Sequence, residues 1–223
     1  MKYISVDIET SGLNPEKNKI LSFGAIIEDT TKKLPYEELP KFNAIILQHE
    51  ITGSPRALTM NKEIISLIGE FIEGNEETKS NLIYHSEHIF VKEDELAQHF
   101  YDFLYSNGVL PSKPFDPNMY VRNVNGKMLP MFNHQTPPIT INVAGKNFGT
   151  FDKLFIEQLP WWKKIINIRQ RVIDPAILLC DWNEDESLPN MKKCKERSNL
   201  EGEVSHTALA DAWDVVQMLR KFY

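Results

Sequence analysis

The sequence predicts an α/β fold in which helices cover both faces of a mixed five-stranded β-sheet. Three apolar segments with the two-residue period of β-strands follow one another within the first 48 residues. A strand, a helix and a second strand are then predicted between residues 139 and 173. Elsewhere apolar residues recur three or four positions apart, which is the spacing of one helix face. This order of strands and helices is typical of a layered fold built on one sheet.

The first predicted strand ends in two acidic residues that share one face. Ile4, Val6 and Ile8 alternate with polar residues. Because successive side chains of a strand point to opposite faces, Asp7 and Glu9 lie on the same side, roughly 6.6 Å apart along the strand at ~3.3 Å per residue. One divalent ion can reach both carboxylates. Two solvated acids on a surface strand would show the same local pattern, so the rest of the chain has to decide between these interpretations.

Two further strands are predicted at residues 20–29 and 42–48, and the short polar links favour an antiparallel meander. The apolar period then changes from that of a strand to that of a helix. One predicted helix has an apolar face made of Ile64, Ile65, Ile68, Phe71 and Ile72. A second helix is predicted at residues 93–105, and the polar run at residues 74–81 is predicted to be a loop.

Residues 110–138 differ in composition from the rest of the chain, since they hold six of its 13 prolines. Within them lies the dipeptide Asn125-Gly126, which favours a two-residue hairpin turn. We interpret this stretch as an inserted loop or small hairpin. The prediction for residues 1–223 is therefore one domain that carries one insertion.

The remaining elements come in the order strand, helix, strand, loop and two helices. They are predicted as a strand at residues 139–144, a helix after Lys146, a short strand at 171–173, a polar loop at 181–187, a basic helix at 190–197 and a last helix from about Thr207. The predicted core face of the last helix is formed by Ala208, Ala212, Val215, Leu219 and Phe222.

Two more acids fall where apolar residues are expected. Asp152 lies in the apolar arc of the helix after Lys146, and Asp211 lies on the core face of the last helix. A buried acid costs free energy unless it is paired or binds a metal ion. His206 stands just before the last helix, near a predicted cap at Ser205 or Thr207. Taken alone, each residue has an ordinary explanation: the helix dipole favours an acid near a helix start, and a histidine beside a helix start is usually structural.

Together these residues make a pattern that the ordinary explanations do not cover. Four carboxylates that converge without cations would repel one another by several kcal/mol. Hard divalent cations with oxygen ligands resolve this conflict. A histidine beside such a site can act as a base near neutral pH.

Composition excludes several other classes of protein. The net charge of −6 argues against a protein that coats long nucleic acids electrostatically. No apolar run approaches the ~20 residues that a membrane span needs, and no signal peptide is evident at the start. Cys180 and Cys194 form no recognisable metal or disulfide pattern and fit a reduced setting, so we expect a cytoplasmic protein without a membrane partner.

At these residues the chain resembles the DEDDh branch of the DEDD superfamily of 3′→5′ exonucleases. Relatives in that branch include the proofreading exonuclease subunit of bacterial replicases and oligoribonuclease. Three motifs carry the resemblance, in the order of the family: Val-Asp-Ile-Glu-Thr-Ser-Gly-Leu at 6–13, Gly-Lys-Asn-Phe-Gly-Thr-Phe-Asp at 145–152 and His-Thr-Ala-Leu-Ala-Asp at 206–211. They span nearly the whole chain, and the third is the most specific to the branch.

The resemblance implies an RNase H-like fold and a two-metal phosphodiester hydrolase. Its implied ligands for two Mg²⁺ or Mn²⁺ ions are Asp7, Glu9, Asp152 and Asp211. His206 would be the general base. Residues expected to contact the terminal nucleotide are Thr10, Leu13, Phe151 and Asn147. The second motif departs from many relatives, because Lys146 replaces a histidine and Asn147 stands one residue further from the acid.

The substrate implied by the resemblance is the 3′ end of single-stranded DNA or RNA, with DNA favoured, and the product is a nucleoside 5′-monophosphate. The segment 57–61 is either a substrate-facing loop, as in some relatives, or a helix cap. Basic residues that could guide a strand, or simply form solvated faces, are Lys192, Lys193, Lys195 and Arg197, and also Lys163, Lys164, Arg169 and Arg171. Protein partners are not predicted.

Three alternatives remain open at this point. One is an exoribonuclease that degrades short oligoribonucleotides. Another is a non-catalytic module of the same fold that binds nucleic acid or protein, although all five site positions are filled. The third is an RNase H-type endonuclease or integrase, which shares the fold but not the His-x-x-x-x-Asp motif, and which would release internal fragments instead of monomers.

Overall fold

The computed structural model describes residues 1–113, 121–124, 127–130, 136–201 and 205–223. Its strands are β1 (Lys2–Thr10), β2 (Ile20–Asp29), β3 (Lys41–Leu47), β4 (Ile89–Lys92), β5 (Val121–Val124), β6 (Lys127–Pro130), β7 (Ile139–Ile141), β8 (Val143–Ala144) and β9 (Ile166–Ile168). Its helices are α1 (Pro55–Met60), α2 (Lys62–Glu73), α3 (Glu76–His85), α4 (Leu96–Ser106), α5 (Asp152–Ile156), α6 (Trp162–Ile165), α7 (Pro175–Leu178), α8 (Met191–Arg197) and α9 (Ala208–Leu219). Short 3-10 helices lie at Tyr36–Glu38 and Arg220–Phe222.

The central sheet is mixed and five-stranded, with the order β4-β3-β2-β1-β8. β1, β2 and β3 form the predicted antiparallel meander, whereas β4 and β8 add to it in parallel at the two edges. Two small sheets accompany it: the antiparallel pair β5-β6 and the parallel pair β7-β9. The predicted α/β class and the mixed five-stranded sheet are confirmed.

Helices cover both faces of the sheet, since most residues on both sides of β1 and β2 are buried. Ile4, Val6 and Ile8 face a core shared with α4, α5 and α6. Tyr3, on the opposite face of β1, packs against α9, and the Ser5 hydroxyl donates to the carbonyl of Ala212 at 2.7 Å. By the alternation of the strand, Asp7 and Glu9 belong to the face that α9 covers.

Several element predictions were wrong, each for a local reason. The predicted loop at 74–81 is largely helix α3, whose first turn is polar. The start of α3 is capped by the Asn75 side chain, which accepts from the Thr78 amide at 2.9 Å. β4 and β9 were missed because each is only three or four residues long. The predicted strand at 139–144 is broken between β7 and β8.

Further corrections concern the second half of the chain. The strand predicted at 171–173 is reduced to one parallel bridge, from Ile173 to Ala144. α5 begins only at Asp152 and is five residues long, so Leu154 is half exposed and is not part of a long core face. Phe222, predicted in the core face of the last helix, lies beyond α9 and is 49% exposed.

The segment predicted as an insertion contains the antiparallel pair β5-β6, with Val124 opposite Lys127. The turn at Asn125-Gly126 lies outside the described residues. That residues 1–223 form a single domain stays a prediction.

Among the residues that the structure describes, no helix is at once long enough and apolar enough to cross a membrane.

Candidate active site

Three carboxylates converge at the end of β1. Ligand oxygens of Asp7, Glu9 and Asp211 all lie within 4.8 Å of one another. Asp7 and Glu9 are half-buried, and Asp211 is 6% exposed. The strand period predicted that the first two share a face, and α9 lies across that face with Asp211 in its first turn.

Asp152 reaches the same place from another element. It is the first residue of α5, only 3% exposed, and its Oδ1 accepts a hydrogen bond from the backbone N–H of Ile8 at 3.2 Å. Ile8 lies between Asp7 and Glu9 in the chain. Asp152 is therefore fixed beside the three-carboxylate cluster by the backbone of β1, because β1 and β8 are parallel neighbours and the chain enters α5 from the end of β8.

The electrostatics show the conflict that the sequence predicted. Burial and then the repulsion of Asp211 and Asp152 raise the pKa of Glu9 to about 8. Burial also raises the pKa of Asp152 to about 7, and it raises the pKa of Asp7 well above its ordinary range, with Asp152, Asp211 and Glu9 adding to the shift. Without a cation, these groups hold protons that an exposed carboxylic acid would release.

A glycine lets α9 bring Asp211 this close. Gly24 of β2 lies opposite Asp7 in the sheet. A Cβ atom there would stand 2.3 Å from the backbone of Ala208 and of Leu209, the first two residues of α9. The helix start therefore rests directly on the strand backbone, and this approach determines how near Asp211 comes to β1.

Two acids of α9, Asp211 and Asp214, make polar contacts with other side chains. The Ser205 hydroxyl donates to Asp211 Oδ1 at 3.1 Å, which opposes the rise that burial causes in the pKa of Asp211. One turn further along, the buried Asp214 forms an ion pair with Lys195 of α8 at 2.6 Å. Sequence analysis did not single out Asp214, because an acid followed by apolar residues on a helix gives no sign of its partner.

His206 lies on the exposed rim of the cluster. It has a left-handed backbone, with φ of 52°, and is followed by Thr207, the N-cap residue of α9. The N-cap of α9 is thus one of the two residues predicted for it, Ser205 or Thr207. The Thr207 side chain makes no cap hydrogen bond, and the Ser205 hydroxyl donates to Asp211 instead. His206 opposes the rise that burial causes in the pKa of Asp211.

A recess of about 360 Å³ opens beside Glu9. Three of the four predicted nucleotide-contacting residues, Thr10, Leu13 and Phe151, are among its lining residues. Leu13 is 81% exposed although it is apolar. The rest of the wall comes from the loop before α1 and from α1 itself, through Ser54, Arg56, Ala57, Met60 and Asn61.

The fourth predicted residue, Asn147, does not line this recess. It occupies the turn between β8 and α5 with φ of 61°. Its backbone N–H donates to Asp174 Oδ2 at 2.9 Å, and its side-chain oxygen accepts from the Thr150 hydroxyl at 2.5 Å. These contacts fit a residue that shapes the turn leading to Asp152, and a substrate contact by Asn147 stays a prediction.

Segment 57–61, for which two interpretations were open, lies at the recess as the substrate-facing interpretation requires. Asn61 stands at the junction of α1 and α2 but makes no side-chain cap of α2. Its Nδ2 instead donates to the backbone carbonyls of Thr10 and Ala57, at 3.2 and 3.1 Å. A hydrogen bond from the Asn61 side chain also acts on Glu9 and partly opposes the rise in the pKa of that carboxyl group.

The predicted basic residues of α8 are largely neutralised. Lys193 and Arg197 both pair with Asp185 of the preceding loop, and Lys195 is buried against Asp214. In the second predicted group, Lys163 pairs with Glu157. Lys164 stacks over the Trp161 ring at 4.9 Å, and Arg169 and Arg171 are exposed. A continuous free basic strip on α8 is therefore not present.

Comparison with solved structures shows what this fold is similar to. Exonuclease I from Methylocaldum szegediense matches 99% of this chain and 40% of its own, with a TM-score of 0.54 and 13% identity. E. coli exonuclease I in complex with a dT13 oligonucleotide matches with a TM-score of 0.52, 13% identity and the same two shares, 99% and 40%. Cell-death related nuclease 4 (CRN-4) matches 99% of this chain and 63% of its own, with a TM-score of 0.54 and 12% identity.

These likenesses confirm the fold that the sequence resemblance implied, which is the nuclease fold of exonuclease I and CRN-4. The chain spans about two fifths of the exonuclease I chains and less than two thirds of CRN-4. No protein-family model matches the chain. No curated protein matches it in sequence.

Proposed function

We propose that this chain is a metal-dependent 3′→5′ exonuclease that removes nucleoside 5′-monophosphates from single-stranded nucleic acid, with DNA as the favoured substrate. The observation that carries the proposal is the convergence of Asp7, Glu9 and Asp211 within 4.8 Å, with Asp152 fixed to the backbone beside them. The oligonucleotide bound to E. coli exonuclease I, a single strand of DNA, supports the substrate class.

The donor set fits hard divalent ions. All four side chains offer oxygen ligands, which Mg²⁺ and Mn²⁺ prefer, and their raised pKa values mark a site that lacks positive charge. Asp7, Glu9, Asp152 and Asp211 would hold the ions. When bound, such ions supply a Lewis acid for the phosphate and lower the pKa of water.

The other residues of the site have roles that follow from their positions. The recess beside Glu9 receives the terminal nucleotide, with the exposed Leu13 side chain and the Phe151 ring providing apolar surface for the base. Burying Leu13 under a base removes from water a side chain that is 81% exposed in the free protein. His206, at the exposed rim, accepts a proton from the attacking water at an imidazole nitrogen.

Two 5′-labelled single strands of one sequence, DNA and RNA, test this function in the presence of Mg²⁺. We expect a descending ladder that EDTA abolishes, with nucleoside 5′-monophosphates as the released product. Asp211→Asn keeps the shape of the side chain and should also abolish the ladder, whereas the matched variant Asp94→Asn, at an exposed acid outside the site, should not.

The outcomes separate the alternatives. A faster ladder on RNA would replace DNA by RNA as the substrate, and internal fragments would indicate an endonuclease. No cleavage of either strand in Mg²⁺ or Mn²⁺ would refute the proposed function.

A further inference from the structure

We propose that Asn61 is a positioning residue that holds Glu9 in place by tying the end of β1, opposite a bulge in β2, to the junction between α1 and α2. This inference rests on the proposed function, because Glu9 is taken as a ligand of the metal ions. It concerns a residue of the recess wall that is not itself a ligand and, in this proposal, does not contact the reacting phosphate.

The first observation is a β-bulge in the sheet next to Glu9. Along β1, Glu9 pairs with Ser22 but Thr10 pairs with Ile20, so Leu21 is an extra residue on β2 and the register shifts between Glu9 and Thr10. A β-bulge interrupts the ladder of hydrogen bonds and re-orients the adjacent side chains. The direction of the Glu9 side chain therefore depends on how firmly this bulge is fixed.

The second observation is that Asn61 supplies a hydrogen bond at that bulge. Its Nδ2 donates to the carbonyl of Thr10 at 3.2 Å and to the carbonyl of Ala57 at 3.1 Å, which joins β1 to the last turn of α1. Thr10 directly follows Glu9 in the chain, so this bond fixes the backbone next to Glu9. One amide group thus joins the end of β1, next to Glu9, to the neighbouring helix.

The third observation is that the Asn61 side chain is buried although only its donor group makes hydrogen bonds. The residue is 4% exposed, and among the residues that the structure describes its Oδ1 has no hydrogen-bond partner. A buried acceptor without a partner is unfavourable and calls for an explanation. An apolar residue of similar size would avoid this cost, so what the asparagine provides is its two donated hydrogen bonds, to the carbonyls of Thr10 and Ala57.

The segment that carries Asn61 is fixed to the same strand end at its other terminus. The backbone N–H of Ser54 donates to the Ser11 carbonyl at 3.0 Å, and the Ser11 hydroxyl donates to the Thr52 carbonyl at 2.7 Å. A Cβ on Gly53 would stand 1.9 Å from the Ser11 carbonyl oxygen, so only glycine allows this approach. The segment that carries Asn61 is therefore itself attached to Ser11, in the turn after β1.

The test variant is Asn61→Leu, which keeps the approximate size and removes the donors. We expect its dissociation constant for Mn²⁺, measured by titration calorimetry, to rise about tenfold or more, as for other residues that orient metal ligands. The amide hydrogens of residues 9–13 should exchange faster, because the bulge opens more often. In the nuclease assay kcat should fall while KM changes little, because nucleotide binding in the recess is retained.

Two further variants complete the experiment. Asn61→Ser keeps one short donor and should recover part of the Mn²⁺ affinity. Asn75→Ala removes an asparagine that caps α3 far along the chain from the site, and should change neither Mn²⁺ affinity nor exchange at residues 9–13. If Asn61→Leu does not fold, Asn61→Ser alone decides, and it must then bind Mn²⁺ more weakly than wild type.

The possible failures can be told apart. A wild-type protein that binds Mn²⁺ but cleaves no strand refutes the proposed function, and the role of Asn61 is then judged from Mn²⁺ affinity and hydrogen exchange. A folded Asn61→Leu variant with wild-type Mn²⁺ affinity and wild-type exchange overturns the present proposal, whatever the nuclease assay gives. A wild-type protein that binds no Mn²⁺ overturns both.

Discussion

The carboxyl group of Glu9 titrates near pH 8 in the fold, whereas its ordinary pKa is 4.5. Because the folded pKa lies above the unfolded one, the folded chain binds more protons between these two values. The stability that Glu9 contributes is therefore present below about pH 4.5 and is lost as pH rises through 8. Asp152, with a folded pKa of about 7, acts in the same direction.

We accordingly predict that the EDTA-treated protein becomes less stable between pH 5 and pH 8. Its midpoint temperature in a thermal melt should fall over this range, and Mg²⁺ or Mn²⁺ should reduce the fall by neutralising the cluster. Glu9→Gln cannot ionise and should raise the metal-free unfolding free energy at pH 8 by about 2 kcal/mol. A metal-free wild-type melt that is flat across this range would contradict the prediction.

The role of His206 as the general base can be tested by a substitution. Its φ of 52° is tolerated by few residues, of which asparagine is one. His206→Asn therefore keeps the backbone while it removes the base. We expect kcat to fall roughly 10²- to 10⁴-fold, the usual contribution of a general base, with unchanged thermal stability. A variant that keeps kcat within threefold of wild type, measured on the same labelled strand, would exclude His206 as the base.

The sequence allowed prediction of the acids and the histidine but not of the residues that support them. Asp152 and Asp211 stood out because a charge on an apolar helix face contradicts its surroundings. Asn61 and Ser205 act through contacts with residues that lie far away in the chain or on another element. The sequence around each of them gives no sign of these contacts. The pairing of Lys195 with Asp214 could not be predicted for the same reason.

At the scale of elements, the site depends on how closely α9 approaches β2. Gly24→Ala would place a Cβ 2.3 Å from the backbone of Ala208 and Leu209, so the helix start must move outward and carry Asp211 with it. We expect a loss of about 1–3 kcal/mol in unfolding free energy, typical of overpacking, together with weaker Mn²⁺ binding. Urea unfolding and titration calorimetry measure the two effects.

Gly69 of α2 provides the control for this prediction, since a Cβ there meets nothing within 4 Å. Gly69→Ala should stabilise the protein slightly, because alanine favours helix more than glycine does. If Gly24→Ala were as stable as wild type and bound Mn²⁺ equally well, close docking of α9 would not be what positions Asp211.

The ion pair between α8 and α9 offers another test between elements. Lys195→Met leaves Asp214 buried without this partner, and we expect a loss of about 3–5 kcal/mol. In the double variant Lys195→Met/Asp214→Leu no unpaired charge remains, so most of that loss should be recovered. Urea unfolding of the two single variants and the double variant gives the coupling energy. Additive losses would show that the two side chains act independently.

Element prediction failed where an element is short or polar. α3 begins with a polar turn and has no marked apolar face, so its helix depends on the Asn75 cap and on contacts with α2. β4 and β9 are too short for a two-residue period to be visible, and they form because a neighbouring strand offers them an open edge. The long strands β1, β2 and β3, by contrast, follow directly from their apolar alternation.

On the scale of the whole molecule, charge limits how this chain can hold a substrate. The net charge is −6, and the acids of the cluster contribute to it. On α8, Lys193, Lys195 and Arg197 are paired with acids of the same chain. Few cations therefore remain on α8 to neutralise phosphates, so we expect contacts near the terminal nucleotide to provide most of the binding.

This argument predicts a weak dependence of DNA binding on salt. For single strands, the slope of log K against log[salt] is about −0.7 per phosphate contacted, and we expect a total slope no steeper than about −3. Fluorescence anisotropy of a 5′-labelled 13-nucleotide strand, at 50 to 200 mM salt with the inactive Asp211→Asn variant, measures it. Asp185→Asn in that background frees Lys193 and Arg197 and should steepen the slope. A slope near −6 without that change would mean that an extended basic surface binds the strand, and the pairing on α8 would not limit binding.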